Sequence, residues 1–308
     1  MYHKSVLLDE CIENLNIKND GIYVDATLGY AGHSSEILKR IPNGHLYGFD
    51  QDDFAIEKSN EKLSSISNNY TIIRSNFANM KEELAKLGVN KVDGILFDLG
   101  VSSVQIDEAD RGFSFHQDAR LDMRMDTKSS FSAYNVVNEY EYHDLVRVLR
   151  DYGEEKFASS IAKNIIRARE TKPIETTFEL VDIIKSSMPM KAKRDGHPAR
   201  RSFQAIRIEV NKELEVLEKG LEQALDLLGV GGRLCVISFQ SLEDRIVKNK
   251  FRDVSEIPSS MKNLPFVPDE YLPKFKVISK GIVASDKELE ENSRSHSARL
   301  RVLEKCKE

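Results

Sequence analysis

The stretch Gly21-Ile-Tyr-Val-Asp-Ala-Thr-Leu-Gly-Tyr-Ala-Gly-His33 decides how the rest of the chain is read. Ile22 and Val24 carry the apolar alternation of a strand. Gly29 and Gly32 let backbone come close to a ligand, and residues 34–41 have the composition of a helix whose N-terminus would face that ligand. The next apolar run, Leu46-Tyr-Gly-Phe-Asp50, ends in a carboxylate. An acid at the tip of the second strand of a βαβ unit is placed to accept hydrogen bonds from a ribose diol. The loop lacks the G-x-G-x-x-G spacing that wraps a pyrophosphate. An adenosine ligand without a pyrophosphate fits better, and S-adenosylmethionine is the obvious one.

Working outward, strand-like runs at residues 22–26, 45–50, 70–76, 94–99 and 233–239 alternate with helical runs at 34–41, 54–65 and 79–87. That rhythm predicts an α/β fold with a mostly parallel sheet. It breaks for about a hundred residues, too long for a structureless crossover. Inside the gap, Val136, Val137, Leu145, Val146 and Leu149, then Phe157, Ile161 and Ile165, then Phe178, Val181 and Ile184 predict three helices. The reading is an inserted all-helical domain over residues 109–201, flanked by two segments of the sheet domain, 1–108 and 202–308. Phe203, Ile206, Val210, Leu214, Leu217, Leu221, Leu225 and Leu228 predict one long amphipathic helix, ended by Gly229, Gly231 and Gly232. Strand candidates at 274–279 and 298–303, separated by a polar turn, close the chain. A hairpin-like end on a parallel sheet suits a Rossmann-like methyltransferase, whereas a dehydrogenase would add parallel units.

The bulk properties narrow the class. With 308 residues, 40% hydrophobic and 31% charged, the chain can bury a sizeable core. No apolar run approaches a membrane span, charge comes too early for a signal peptide, and a cytoplasmic location is expected. Cys11, Cys235 and Cys306 suggest neither a disulfide framework nor a zinc site, and the histidines show no metal spacing, so no metal is expected. Net charge is −5, so any polyanion contact must be local. The densest basic segment, residues 185–207, sets Lys185, Lys191, Lys193, Arg194, Arg200, Arg201 and Arg207 against Asp195 alone. It reads either as a solvated loop or as a polyanion-binding one.

The fourth strand, with its exit, is Asp93-Gly-Ile-Leu-Phe-Asp-Leu-Gly-Val-Ser-Ser103, which puts Asp98 at the carboxyl edge of the sheet, where open α/β sheets bind ligands. Asp50, Asp98 and the loop at 29–33 would line one crevice. Alone, Asp98 could equally cap a loop.

These residues resemble the bacterial cytosine-N4 methyltransferases of small-subunit ribosomal RNA, which are S-adenosylmethionine enzymes. The match includes His3, Val6-Leu-Leu-Asp-Glu10, the loop 25–34, the block 93–103, Arg111-Gly-Phe-Ser-Phe115 and Leu121-Asp-Met-Arg-Met-Asp126. It continues through Tyr152-Gly-Glu-Glu155, His197-Pro-Ala199, Arg201-Ser-Phe-Gln-Ala-Ile-Arg-Ile208, Gly231-Gly-Arg-Leu234 and Ser241-Leu-Glu-Asp-Arg245. The resemblance implies a class I methyltransferase sheet acting on a cytosine N4 of 16S RNA in the decoding region. Its cofactor contacts fall on Ala31, Gly32, His33, Asp50, Phe77, Asp98 and Gln105. Three positions depart from the family: Ala31 for a glycine, Val104 for a proline, and Gln240 for a histidine. Ala31 admits the same backbone approach provided its φ is negative, and Gln240 removes an acid–base group.

Methyl transfer to an exocyclic amine needs alignment and an acceptor for one amine hydrogen. Asp98 is the first candidate, with backbone carbonyls of residues 99–103 as rivals; Asp98 could also serve only the cofactor. A base being methylated must be unstacked. Phe113 and Phe115 could stack on it, Asp122 or Arg124 could address its edges, and Arg194, Arg200 and Arg201 would contact phosphates. The expected partner is 16S ribosomal RNA or the small subunit, and a homodimer stays open. A nicotinamide-dependent oxidoreductase and a non-catalytic ribosome-assembly RNA-binding protein are the alternatives.

Overall fold

The computed structural model describes residues 5–101, 105, 108–189, 197–258, 260–261 and 266–308. In chain order it runs α1 (Leu8–Leu15), β1 (Ile22–Asp25), α2 (Gly32–Leu38), β2 (His45–Asp50), α3 (Asp53–Ser64), β3 (Tyr70–Arg74), α4 (Met80–Lys86) and β4 (Val92–Asp98). There follow α5 (Ala133–Glu139), α6 (Tyr142–Asp151), α7 (Ala158–Arg169), α8 (Thr177–Ser186), α9 (Arg200–Asn211) and α10 (Glu213–Leu227). The chain ends with β5 (Leu228–Ser238), α11 (Ser241–Ser255), β6 (Phe275–Ile282), α12 (Asp286–Glu291) and β7 (Arg299–Lys305).

Two compact units result, Met1–Gly100 with Leu214–Glu308, and Val101–Glu213. The first is a seven-stranded sheet in the order β3-β2-β1-β4-β5-β7-β6. Strands β1 to β5 pair in parallel, while β7 runs antiparallel to β5 and β6. This is a Rossmann-like class I methyltransferase sheet with the hairpin-like end that the sequence predicts. Its strands are apolar on both faces because helices cover both. Ile95, Phe97, Leu234 and Val236 bury one way with Leu217, Leu221 and Val247, and Leu96, Cys235 and Ile237 bury the other way with Leu7, Cys11 and Ile37. No helix among the described residues is long and apolar enough to cross a membrane.

The second unit is helical, with Val136, Leu145, Leu149, Ile161, Ile165, Leu180 and Ile184 in its core. Among the described residues it has four α-helices before residue 200 where the apolar spacing predicts three, because the first apolar group divides into α5 and α6 at Tyr140, which is extended. The predicted boundaries at 108/109 and 201/202 also move, to 100/101 and 213/214. Phe203, Ile206 and Val210 are buried in the helical core, whereas Leu217, Leu221 and Leu225 are buried against the sheet. The single apolar stripe therefore serves two cores. The helix breaks between them at Lys212, which adopts φ +50° and caps α9. The glycines expected to end the stripe lie instead within β5, where Gly231 adopts φ +79° and the pairing with β4 shifts register.

Candidate active site

Strand order reverses between β1 and β4, and ligands of open parallel sheets bind at such a switch point, beyond the carboxyl ends of the strands. Asp25, Asp50 and Asp98 are the last residues of β1, β2 and β4. Asp25 is buried and ties the glycine loop down: its carboxylate accepts from the Thr27 N–H at 3.1 Å and from Ser34 Oγ at 2.7 Å. Apolar spacing alone gives Asp25 no role; its place at a strand tip, shared with Asp50 and Asp98, is the signal that the sequence carries.

Asp50 accepts from the backbone N–H groups of Gly29 at 2.9 Å, Gln51 at 2.7 Å and Asp52 at 2.9 Å. Burial pushes its carboxyl up to about 6 against those bonds. A carboxylate has about four lone-pair sites, so three backbone donors fix it and still leave an acceptor for a hydroxyl. This donor and acceptor set fits an adenosine ribose.

Ala31 adopts φ +54°, so the condition of a negative φ fails. Its methyl group sits in a left-handed conformation that costs an ordinary residue on the order of 1–2 kcal/mol, which is why a glycine suits this position. Gly32 is pressed for a different reason: a Cβ there would lie 1.8 Å from Ser5 Oγ and 3.1 Å from Ser5 Cβ, so the Ser5 side chain lies against it and would have to turn away. The His33 ring, implied as a cofactor contact, is buried: Nε2 is 3.0 Å from the Val6 carbonyl, and Nδ1 is 3.6 Å from Asp98 Oδ2. Burial pulls the imidazole down to about 4, so it is neutral at physiological pH.

Asp98 donates its backbone N–H to Thr27 Oγ1 at 2.6 Å. Its side chain keeps 28% of its exposure, yet Oδ1 is sealed and has no hydrogen-bond partner. Burial, then the negative charges of Asp25 and Glu243, push the carboxyl up to about 8. Phe77 follows β3 and packs edge-on against Phe97 with ring centroids 5.1 Å apart. Gly220 of α10 accommodates that ring, since a Cβ there would lie 2.6 Å from it. Gln240 is the N-cap residue of α11, where Glu243 accepts from its backbone N–H at 3.3 Å and from its side-chain Nε2 at 3.0 Å. The position has a structural duty in place of acid–base chemistry.

The helical unit holds the remaining expected residues. Gln105 is buried there. Phe113 is a core residue, with the Arg111 guanidinium 5.9 Å above its ring, so it offers no open face to a base. Phe115 stacks on His197 with centroids 4.3 Å apart and meets Phe203 edge-on. Asp122 and Arg124, expected to address a base, form a bidentate pair at 2.7 and 2.6 Å, and Arg124 also donates to the Thr127 and Ser129 carbonyls. Arg207 is likewise taken up, by Glu213 at 2.7 and 2.8 Å. Arg200 and Arg201 are exposed, and Arg201 reaches the Glu154 carbonyl at 3.3 Å. Val104, Lys191, Lys193 and Arg194 lie outside the described residues.

The protein from Exiguobacterium sibiricum named ribosomal RNA small subunit methyltransferase H is 58% identical over 99% of each chain. Proteins of the same name from Ruminiclostridium cellulolyticum and Clostridioides difficile are 55% and 54% identical, covering 98% and 99% of each chain. The profile of the MraW methylase family matches residues 1–306, and with that match and those identities the chain belongs to the MraW methylase family.

Proposed function

We propose that this chain methylates the exocyclic N4 of a cytosine in the decoding region of 16S ribosomal RNA, with S-adenosylmethionine as methyl donor. The observation that carries the reading is full-length identity above 50% to relatives named as small-subunit ribosomal RNA methyltransferases. When bound, the cofactor supplies an electrophilic methyl group on a sulfonium. Asp50 would hold its ribose hydroxyls, and the backbone of Ala31, Gly32 and His33, with Phe77, would border it within the sheet unit.

The lone pair of the amine is delocalised into the cytosine ring, so the protein must hold nitrogen and methyl carbon in line and take up an amine hydrogen. Asp98 is assigned that hydrogen. Its raised carboxyl supports the role, because a group that binds a proton near neutral pH can both take one up and release it. On the helical unit, the partly buried Phe115 would offer a ring to RNA bases and the exposed Arg200 and Arg201 would engage phosphates. The substrate is found in the cytoplasm.

Incubation of the protein with labelled cofactor and unmodified small subunits, followed by mass mapping of nucleotides, tests the reading. A methyl group on one cytosine N4 is expected. A methyl group on carbon or ribose would overturn the assignment, as would binding of NADH without S-adenosylhomocysteine.

A further inference from the structure

The N-terminal segment is fastened at three points within the sheet unit. Leu7, at φ +51°, donates its N–H to Glu288 Oε1 at 2.8 Å, and Ser295 Oγ donates to the same oxygen at 2.6 Å. Val6 turns its carbonyl to His33 Nε2, and Ser5 covers Gly32. A carbonyl oxygen only accepts, so Nε2 must carry the hydrogen, and in a neutral ring Nδ1 is left as a bare lone pair. That lone pair faces Asp98 Oδ2 across 3.6 Å. Oδ1 of the same carboxyl has neither a donor nor water contact among the described residues. A charged oxygen sealed without a donor is costly, whereas the carbonyl oxygen of a neutral acid is far less so. The proton therefore belongs on Oδ2, which has the His33 Nδ1 lone pair 3.6 Å away.

We propose that His33 is a positioning residue for Asp98: its Nδ1 lone pair holds the Asp98 proton on Oδ2, and Glu288, through the Leu7 and Val6 backbone, keeps the imidazole in the required tautomer. The shifts of both groups run in the direction this needs, with burial keeping the carboxyl protonated and the ring neutral. The charged groups around the pair are Asp25 and Glu243 toward Asp98, and Glu288 and Lys62 toward His33; Cys11, also near Asp98, is held as a neutral thiol by burial. In a loaded site the 3.6 Å gap closes to a hydrogen bond, as such contacts commonly tighten on binding.

What the pair does in catalysis rests on the function proposed above. As the nitrogen gains its methyl group, an amine N–H bond breaks and its proton goes to Oδ2 of the ionised Asp98 carboxyl, the bonding electrons remaining on nitrogen. The His33 Nδ1 lone pair then holds that proton on Oδ2, and the partly exposed carboxyl releases it to solvent before the next turnover.

The test uses the full-length protein without cofactor or RNA. Imidazole 15N NMR at neutral pH should show His33 protonated at Nε2 and bare at Nδ1; a doubly protonated ring or the Nδ1–H tautomer would overturn the proposal. In His33→Phe, which keeps bulk and loses the acceptor, the Asp98 carboxyl titration followed by 13C NMR should fall by about one unit. An unchanged midpoint would mean no coupling and a raised one would mean an imidazolium partner, and either overturns it. Glu288→Ala should mix the His33 tautomers, while Glu288→Gln, which keeps Oε1 as an acceptor, should restore the wild-type ring. A wild-type ring in Glu288→Ala, or mixed tautomers in Glu288→Gln, would overturn the clasp; if Glu288→Ala does not fold, Glu288→Gln and His33→Phe decide. Absence of turnover on small subunits would count against the proposed function and leave these readings unchanged.

Discussion

Asp98 at the end of β4 and Asp122 in the helical unit are both partly exposed aspartates at the edge of a fold, and their surroundings treat them in opposite ways. Burial, then the negative charges of Asp25 and Glu243, push the Asp98 carboxyl up to about 8, with one oxygen sealed and the His33 ring 3.6 Å from the other. Burial pushes Asp122 up as well, but the Arg124 guanidinium outweighs it and holds that carboxyl below the usual range. The same contrast runs through both units. Asp25 and Asp50 at the strand tips are bonded to backbone N–H groups and, for Asp25, a hydroxyl, while Glu209 and Glu213 in the helical unit accept from arginines. Paired charges hold a fold and are inert; an unpaired, displaced carboxyl is costly to maintain and available for proton chemistry.

Asp98→Asn should break that contrast with the largest effect. Asparagine can donate to the His33 lone pair as the neutral acid does, but it cannot take up a proton. Turnover should fall about 100-fold or more, while cofactor affinity measured by calorimetry should hold; a loss confined to affinity would remove Asp98 from the amine. The same variant has a stability signature. Because the folded carboxyl titrates higher than the unfolded one, the native state binds more protons between about pH 4 and pH 8, and wild-type stability drops as pH rises through that window. Asp98→Asn should remove the drop and be more stable at pH 8 by about 1 kcal/mol or more, read by denaturant unfolding.

Next in size is Arg200→Ala with Arg201→Ala. These two are exposed, unlike Arg124 and Arg207, which have carboxylate partners. RNA affinity should fall about tenfold, and the slope of log affinity on log salt should flatten by about 1–2. An unchanged slope would mean that they do not reach phosphates. Asp122→Ala probes the inert side of the contrast. Removing one partner of a charged hydrogen-bonded pair should destabilise the helical unit by about 1.5–3 kcal/mol, seen by hydrogen exchange in α5 to α9. Full stability with weakened RNA binding would instead return Asp122 to the substrate.

The contrast was only half legible in the sequence. The sheet was readable because strand periodicity, glycine loops and acidic tips are local signals, and Asp50 and Asp98 follow from them. The pairing of Asp122 with Arg124 was not, because a spacing of two residues does not by itself show that the chain folds the two side chains onto each other, and Met123 at φ +59° supplies the turn that does. The contact of Leu7 with Glu288 spans 281 residues and leaves no trace in spacing. Nor does periodicity show that one apolar stripe is divided between two cores, since Lys212 resembles any helical lysine until its φ is known.

Ala31→Gly sharpens the comparison with the smallest effect. At φ +54° the Ala31 methyl group is strained by about 1–2 kcal/mol, while glycine adds about 0.5–1 kcal/mol of unfolded-state entropy. The difference predicts a gain of about 0.5–1 kcal/mol in unfolding free energy. The backbone is already set there by Ala31 N–H on the Leu28 carbonyl and by the Ser35 N–H on the Ala31 carbonyl, so the loop geometry should not move. Cofactor affinity should therefore stay within about twofold, because a preformed loop gains little from relief of strain. A large rise in affinity together with the stability gain would mean that the strained loop populates a second conformation before binding, and that this edge of the sheet is less rigid than Asp25 and Asp50 make it.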